Sequence, residues 1–199
     1  MGRHATQYPE RSPETSPMTH PPHHHPASLA DLAAEAESLA THIALASHLH
    51  GPKHWRAVAR TGAVILNHAP HAHARSIFVF AALHDTQRHN DGYDPDHGNR
   101  AAAILETQID HGLNDVQLDR VIYALRNHSG GDGPPQHSDP TIGACWDSDR
   151  LTLDRVRIVP SEGYISTPAV REDLQRFRAI ARQISEGEDV SWTEVAEEY

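Results

Sequence analysis

The chain has 199 residues, with 17 Lys+Arg against 27 Asp+Glu, and so carries a formal charge of −10 when histidine is neutral. This acidic balance, without a basic run, argues against nonspecific binding to nucleic acid or to an anionic membrane, because both need clustered positive charge. A single cysteine, Cys145, excludes an intramolecular disulfide and a cysteine-based zinc site. The 18 histidines are the anomaly that needs an explanation.

Signals for a membrane or for secretion are missing from the sequence. The longest apolar stretch, 76–83, is far shorter than the roughly 20 residues of a membrane-spanning helix. Residues 1–17 contain no apolar core of the kind that a secretory signal carries. We therefore expect a cytoplasmic protein whose partners include neither a membrane nor a nucleic acid.

Residues 1–27 are rich in proline, histidine, serine, threonine and charge, and contain almost no apolar side chains. Such a segment cannot bury enough surface to offset the entropy of ordering. The composition predicts a disordered tail, or an over-long start ahead of Met18. The histidine run at 23–25 offers at most a ligand set for a stray metal ion.

Apolar residues at helical spacing predict two helices and then a central one. Ser28 is a good N-cap for a helix whose apolar stripe covers 29–43. Pro52 suits the first turn of a second helix over 52–67. The stretch 75–85 is apolar on nearly every side, which is typical of a buried helix or of a strand. We favour a central helix, because no other stretch supplies a sheet for it to join.

Polar loops separate further amphipathic segments in the second half of the chain. Loops are predicted at 86–95, 129–138 and 157–166, and helices at 97–109, 114–127, 139–153, 167–187 and 192–199. No stretch alternates with period two, and no period of roughly 20 to 50 residues repeats. The sequence therefore predicts an all-α, single-domain helical bundle over 28–199.

The most apolar predicted helix ends in two polar residues, His84 and Asp85. A carboxylate at a buried position requires a partner charge or a metal ion. Imidazole and carboxylate are ordinary ligands of divalent Mn, Fe, Co, Ni and Zn in proteins. Neighbouring residues on a helix point about 100° apart, so one ion contacts both only beyond the helix end, and its other ligands come from other helices. A metal-free, hydrogen-bonded His-Asp pair is the alternative.

Four short elements occur in a suggestive order along 51–153. They are His54-Trp55 at a helix start, Ala82-Leu83-His84-Asp85, Asn127-His128-Ser129 and Ser148-Asp149-Arg150-Leu151. This order resembles the HD superfamily of metal-dependent phosphohydrolases, and the stretch 145–151 is similar to a subgroup of small HD proteins with no settled substrate. In the superfamily, a histidine, an adjacent His-Asp pair and a late aspartate hold a divalent metal inside an all-α bundle.

The resemblance implies a set of metal ligands in this chain. They are His54, His84, Asp85 and Asp149. Superfamily members with two metals add two histidines between the pair and the last aspartate, and His97 and His128 lie in the right order for these positions. The centre is expected to hold one or two divalent ions, drawn from Mn, Fe, Co, Ni, Mg and Zn.

Two parts of this ligand assignment stay open. Asp147 is an alternative to Asp149 as the last ligand. Residues two positions apart on a helix point about 200° away from each other around its axis, so only one of the two aspartates faces the site. The neighbours of Asp149 match the superfamily better, and Asp147 is then expected to face solvent or to support the site from outside it. His97 and His128 are alternatively groups that contact the substrate in a one-metal protein.

The other histidines beyond the tail are expected to be solvated. They are His42, His48, His50, His68, His71, His73, His89, His111 and His137. His50 lies four residues before His54 and reaches the site only if one helix covers both. Pro52 argues against such a helix.

Arg88 follows the His-Asp pair closely, so its loop is expected to hang over the metal. An arginine there binds a phosphate bidentately, or it pairs instead with Asp91 or Asp94. Three further residues are weaker candidates for the same role: Arg126, Arg150 and Ser129.

The expected activity is hydrolysis of a small phosphate ester, such as a nucleotide, by metal-activated water. Asp85 bridges two ions or orients the attacking water in this hypothesis, and His128 or Arg88 stabilises the leaving oxygen. The same ligand order also resembles HD-fold di-iron oxygenases, and a non-catalytic module that binds a metal or a nucleotide is a third hypothesis. The irregular stretch 157–166 is a candidate lid or contact in a homo-oligomer.

Overall fold

The computed structural model describes residues 27–129 and 134–199, and within them the chain forms ten α-helices, two short 3-10 helices and no strand. The α-helices are α1 (Leu29–Ser38), α2 (His42–Ala46), α3 (Pro52–Leu66), α4 (Ala74–Leu83), α5 (His97–Gln108), α6 (Asp115–Asn127), α7 (Pro140–Arg150), α8 (Pro168–Glu172), α9 (Leu174–Glu186) and α10 (Trp192–Ala196). The first 3-10 helix covers Leu153–Val156 and the second covers Glu162–Tyr164. The predicted all-α fold is confirmed for this part of the chain. The tail predicted at 1–27 lies, except for Ala27, outside the described residues.

Polar side chains fix the starts of the helices. The Ser28 side chain accepts a hydrogen bond from the Asp31 amide at the start of α1, as its sequence position predicts. Asn114 begins α6 with a capping box, in which its side chain and that of Gln117 each accept from the other residue's amide. Asp139 caps α7, whose first residue is a proline. These local signals are readable in the sequence because each acts within four residues.

The first predicted helix is wrong in one respect, because the stripe over 29–43 divides into α1 and α2. Thr41 causes the break: its backbone is extended and its side chain accepts from the Ala44 amide, so it begins a new helix. The Thr41 hydroxyl also donates to the Arg88 carbonyl, which ties α2 to the loop that follows α4. Ile43 is 47 % exposed, so its apolar side chain does not continue the buried stripe.

Helix α4 is the centre of the bundle. Every residue from Ser76 to Leu83 is buried, and the helix packs against α1, α3, α6 and α7. A helix satisfies its own backbone hydrogen bonds, so it can be surrounded by apolar neighbours without unpaired polar groups. The last turn of α4 therefore delivers the residues that follow it, His84 and Asp85, into the interior.

The C-terminal third packs around this core with shorter elements. The helix predicted over 139–153 ends at Arg150, and the first 3-10 helix follows it. Arg157 ends that 3-10 helix in the left-handed backbone conformation, with φ of 62°. The helix predicted over 167–187 divides at Asp173 into α8 and α9. Over the described ranges, no helix is both long enough and apolar enough to cross a membrane.

Candidate metal centre

The six predicted ligands lie at the ends of five helices that converge in the interior. His54 is in the first turn of α3, His84 is the C-cap of α4 and is followed by Asp85, His97 begins α5, His128 is the C-cap of α6, and Asp149 is in the last turn of α7. Each of these residues is at most 9 % exposed. The structure therefore brings together all six residues, although up to 95 positions separate them along the chain.

Asp85 lies between two pairs of histidines. Its Oδ2 atom is 3.6 Å from Nε2 of His54 and 3.6 Å from Nε2 of His84. Its Oδ1 atom is 3.1 Å from Nε2 of His97 and 3.7 Å from Nε2 of His128. One carboxylate thus presents a separate oxygen to each pair.

Within each pair, the two imidazoles approach each other through their Nε2 atoms. The separation is 3.1 Å between His54 and His84 and 2.8 Å between His97 and His128. Donor atoms held about 2.1 Å from one ion lie about 3.0 to 3.4 Å apart in octahedral or tetrahedral geometry. The observed separations are close to that range.

Backbone carbonyls determine which ring nitrogen of three histidines carries the proton. Nδ1 lies 3.0 Å from the Ala81 oxygen in His84 and 2.7 Å from the Leu125 oxygen in His128. The corresponding contact of His97 is with the Asp94 oxygen. A carbonyl only accepts hydrogen bonds, so each Nδ1 donates and each neutral ring keeps its lone pair on Nε2. These lone pairs are directed at the centre.

Asp149 supplies a second carboxylate on the His54 side. Its Oδ1 atom is 3.4 Å from Nε2 of His54 and 3.9 Å from Nε2 of His84. The same atom is buried and makes no hydrogen bond with the described residues. A buried carboxylate oxygen without a hydrogen bond is costly, and a bound cation would remove that cost.

The pKa shifts of His54, His84 and Asp85 favour the protonation states that metal binding requires. Burial lowers the pKa of His54 to about 4 and that of His84 to about 3. Burial alone would raise the pKa of Asp85, but its interactions with His84, His128 and His97 outweigh burial and hold that pKa well below its usual range. At neutral pH these residues are therefore neutral imidazoles and an ionised carboxylate, the forms that bind metal.

The pKa values of Asp149 and His128 shift in opposite directions. Burial opposes ionisation of Asp149, but the neighbouring His54 and the Arg155 guanidinium outweigh burial and lower its pKa. Burial also disfavours the charged form of His128, yet its contact with Asp85 outweighs burial and raises its pKa. Compared with His54 and His84, His128 is thus the histidine whose protonated form a neighbouring carboxylate favours when no cation is bound.

These side chains form two groups that can hold a metal ion. The groups are His54, His84 and Asp85, and Asp85, His97 and His128, and in each the ligand atoms all lie within 4.8 Å of one another. The two groups share Asp85. Nitrogen and carboxylate oxygen donors suit divalent transition metals, so the residues present fit the expected cofactor in donor type, charge and separation.

Asp147 has a different place from Asp149. It is fully buried, and its Oδ1 and Oδ2 atoms accept hydrogen bonds of 2.8 Å and 2.7 Å from the amides of Ser166 and Thr167. Burial raises its pKa. The expectation that Asp147 faces solvent is therefore wrong. Its carboxylate holds the end of the 157–166 stretch against α7. Asp149 is the aspartate that faces the histidines.

Arg88 is placed beside the shared carboxylate. Its Nη1 lies 3.3 Å from Oδ1 of Asp85, while Nε and Nη2 donate to the carbonyls of Asn90 and Gly92. The alternative ion pair with Asp91 or Asp94 does not form. Asp94 pairs instead with Arg100, at 2.6 Å. Arg88 thus has acceptors for all three of its nitrogens within its own loop and at Asp85, which leaves it positioned to hold Asp85.

A cleft of about 490 Å³ leads from the surface to the centre. Asp85, His97, His128 and Asp149 lie at its base. The 157–166 stretch forms part of its wall through Ile158 and Tyr164, the rim also includes Tyr93, and the described arginines that line it are Arg88, Arg126, Arg150 and Arg155. A pocket of this size accommodates a small organic molecule rather than a polymer.

His50 lines this cleft, and the expectation that it is solvated is wrong. Its side chain is only 12 % exposed, and its Nδ1 lies 3.1 Å from Oδ1 of Asp91, which also accepts a hydrogen bond from the Ser47 hydroxyl. Its ring centroid is 6.4 Å from that of His54. Pro52 does begin α3 after His50, but the preceding turn brings the ring to the cleft without a shared helix. The spacing of four residues from His54 was the available signal.

Arg155 is the second functional candidate that the sequence pattern did not reveal. It lies in the first 3-10 helix and lines the cleft, with Nη2 3.6 Å from Oδ1 of Asp149. No motif marks it, because one of its hydrogen-bond partners, the Leu49 carbonyl, is 106 positions away in the sequence.

The remaining histidines divide into two groups. Five are exposed as expected: His42, His48, His68, His71 and His89. Three are half-buried with structural contacts, which corrects the expectation: His73, His111 and His137. His73 caps α4, accepting from the Ser76 amide, and its Nε2 contacts Gln117.

No known protein family, curated protein or solved structure matches the chain. The buried His/Asp groups are compatible with the resemblance to HD phosphohydrolases. The grounds for a metal centre are therefore the residues and distances given above.

Proposed function

We propose that this protein is a metal-dependent phosphohydrolase of the HD type, with a centre of two divalent ions that acts on a small phosphate ester. The observation that carries the proposal is the position of Asp85, whose two oxygens face separate histidine pairs. With Asp85 shared, His54, His84 and Asp149 would hold one ion, and His97 and His128 would hold the other. A divalent ion bound there polarises a phosphoryl oxygen and makes water a competent nucleophile near neutral pH.

The chain's own residues supply the remaining steps. Asp85 fixes the spacing of the two halves of the centre, and Arg88 holds the Asp85 carboxylate in place through Nη1. His128 lines the cleft, so a phosphoryl group bound beside the metal centre would lie within its reach.

Proton donation to the leaving oxygen is assigned to His50. Its Nδ1 is engaged with Asp91, and its Nε2 has no hydrogen-bond partner among the described residues. A histidine oriented by a carboxylate in this way is suited to act as a general acid. His50 therefore completes a cleft that holds both the ligands and a proton donor.

The dimensions and charge of the cleft favour a small substrate such as a nucleotide. A volume of about 490 Å³ accommodates a molecule of that size. The described lining carries four arginines and four aspartates, so a bound divalent ion would make the cleft net positive and attract an anionic group, whereas the net charge of −10 disfavours a polymeric polyanion such as nucleic acid.

The test is an assay of purified protein against phosphomonoesters and phosphodiesters, nucleotides included, with Mn, Co, Ni, Mg, Fe or Zn added in turn. We expect metal-dependent release of phosphate or of a phosphomonoester, which Asp85→Asn abolishes. Asp119→Asn removes an exposed carboxylate on α6 and is the matched control. Turnover that is unchanged in Asp85→Asn contradicts the proposal.

Two other outcomes would identify the alternative functions. Iron-dependent consumption of dioxygen, with no phosphate ester hydrolysed under any metal, would replace the hydrolase by a di-iron oxygenase. Tight metal binding and a gain in thermal stability, without turnover of either kind, would identify a non-catalytic module.

A further inference from the structure

Arg155 is the described arginine at the cleft whose geometry is most suited to an anionic ligand. It is only partly accessible, because its side chain is 15 % exposed. Its Nε donates to the Leu49 carbonyl at 2.9 Å, and its Nη1 donates to the Thr152 carbonyl at 3.1 Å and to the Thr152 hydroxyl at 2.9 Å. Three hydrogen bonds hold the guanidinium plane, so binding a ligand costs little additional side-chain entropy.

The remaining nitrogen of Arg155 is directed at the candidate centre. Nη2 lies 3.6 Å from Oδ1 of Asp149 and makes no hydrogen bond with any described residue. Its two N–H donors are therefore available beside a carboxylate that also faces His54 and His84. An oxyanion next to Asp149 would accept a charge-assisted hydrogen bond there.

The other described arginines that line the cleft are less suited to this role. Arg88 already has acceptors for Nε, Nη1 and Nη2. Arg150 donates through Nη1 to the carbonyls of Pro135 and Tyr164, and its guanidinium packs on the Trp146 ring. The side chain of Arg126 is 47 % exposed and pairs with Glu106.

Arg155 also connects two parts of the cleft that the proposed reaction uses. It follows α7, which carries Asp149, and its hydrogen bond to Leu49 fixes the residue next to His50. A phosphoryl group bound at Nη2 would lie next to Asp149, in the cleft that His50 also lines.

We propose that Arg155 is the phosphate-binding residue of this cleft, which takes the phosphoryl oxygens of the substrate and of the orthophosphate product through Nη2. The proposal rests on the proposed function, because it assumes that the ligand beside the metal centre is a phosphate. The competing explanation is that Arg155 only neutralises Asp149 and supports the fold.

The experiment measures binding of orthophosphate by isothermal titration calorimetry to the metal-loaded protein, and compares wild type with Arg155→Ala, Arg155→Gln and Arg155→Lys. Metal content is measured on the same samples. We expect unchanged metal content and a loss of phosphate affinity of about 10- to 100-fold in Arg155→Ala and Arg155→Gln, the range for a charge-assisted hydrogen bond. Arg155→Lys retains the charge without the planar guanidinium, so its orthophosphate affinity should lie between those of wild type and Arg155→Gln. Arg176→Ala, on the exposed surface of α9, is the control.

Steady-state kinetics give a second readout. Loss of ground-state phosphate binding raises KM in Arg155→Gln by about the factor seen in calorimetry, with a smaller change in kcat. The proposal is overturned if Arg155→Gln binds orthophosphate as tightly as wild type, or if its affinity for orthophosphate falls only because metal is lost. It is also overturned if the wild-type protein binds no orthophosphate. If wild type binds orthophosphate through Arg155 but hydrolyses no ester, the proposed function fails and the binding role of Arg155 stands.

Discussion

The Nε2 atoms of His97 and His128 lie 2.8 Å apart in the interior of the bundle. Each ring donates its Nδ1 proton to a backbone carbonyl, so two lone pairs would face each other if both rings were neutral. Only a cation between them, a proton or a metal ion, removes that repulsion. The adjacent Asp85 carboxylate favours either cation, and the second carboxylate oxygen repeats the arrangement with His54 and His84.

The stability of the metal-free protein is expected to fall as the pH is lowered from 6.5 towards 4. The pKa of His54 is lowered to about 4 and that of His84 to about 3, so in this window the unfolded chain takes up protons that the folded protein does not. Each of the two histidines then costs about 1.4 kcal/mol of stability per pH unit. The raised pKa of His128 changes the stability only above pH 6.5. The lowered pKa values of Asp85 and Asp149 change it only below the pKa values that these carboxyl groups have in the unfolded chain.

Urea unfolding in the presence of a chelator at pH 7, 6 and 5 measures this effect. The double variant His54→Asn with His84→Asn removes both groups and should show a much weaker dependence on pH. A free energy of unfolding in wild type that is constant from pH 7 to pH 5 would show that these histidines are not buried in the neutral form.

Gly98→Ala is expected to disturb the His97 side of the centre. A Cβ atom at position 98 would lie 2.1 Å from the Leu125 carbonyl oxygen and 3.4 Å from Cε1 of His128, so α5 must move away from α6. Such overpacking costs about 1 to 3 kcal/mol. The measurements are thermal unfolding and metal content. Gly163→Ala is the control, because the nearest atom to its added Cβ is 3.8 Å away. Equal stability of the two variants would contradict the close packing of α5 on α6.

Asp147→Asn and Asp149→Asn are expected to separate support of the fold from metal binding. Asp147 accepts from two backbone amides, and an asparagine offers one acceptor oxygen, so an amide proton at Ser166 or Thr167 loses its partner. The cost is about 1 to 3 kcal/mol of stability, with metal content unchanged. Asp149→Asn should instead lose metal affinity. Metal loss in Asp147→Asn but not in Asp149→Asn would reverse the assignment of the late aspartate.

His50→Asn is expected to slow the hydrolysis of esters with poor leaving groups by about 100- to 10,000-fold, the usual contribution of a general acid. An ester of p-nitrophenol needs little protonation of its leaving oxygen and should be affected far less. His48→Asn changes an exposed histidine two residues earlier and provides the comparison. The same loss with both kinds of ester would indicate that His50 does not donate the proton.

The position of His84 and Asp85 at the end of the central helix was predictable, because an unbroken apolar run and a buried carboxylate are local features of the sequence. The order of His54, His97, His128 and Asp149 followed from a resemblance, and the structure brings them to one place. Their role as ligands stays a prediction.

Long-range contacts explain what the sequence did not reveal. A hydrogen bond to Leu49, 106 positions earlier in the sequence, holds Arg155 beside the centre. A contact with Asp91, 41 positions later in the sequence, holds His50 at the cleft. No periodicity encodes such pairs. Thr41 divides the first predicted helix because its hydroxyl accepts a hydrogen bond from the Ala44 amide and donates one to the Arg88 carbonyl. Only Ala44 is close to Thr41 in the sequence.

The number of metal ions bound per chain tests the central claim most directly. Elemental analysis of untagged protein, reconstituted with Mn or Fe and freed of excess metal, should give two ions per chain for wild type. Asp85→Ala should retain neither ion tightly, because the shared carboxylate serves both histidine pairs. Wild-type protein that binds fewer than two divalent ions per chain, or Asp85→Ala protein with undiminished metal content, would contradict the account.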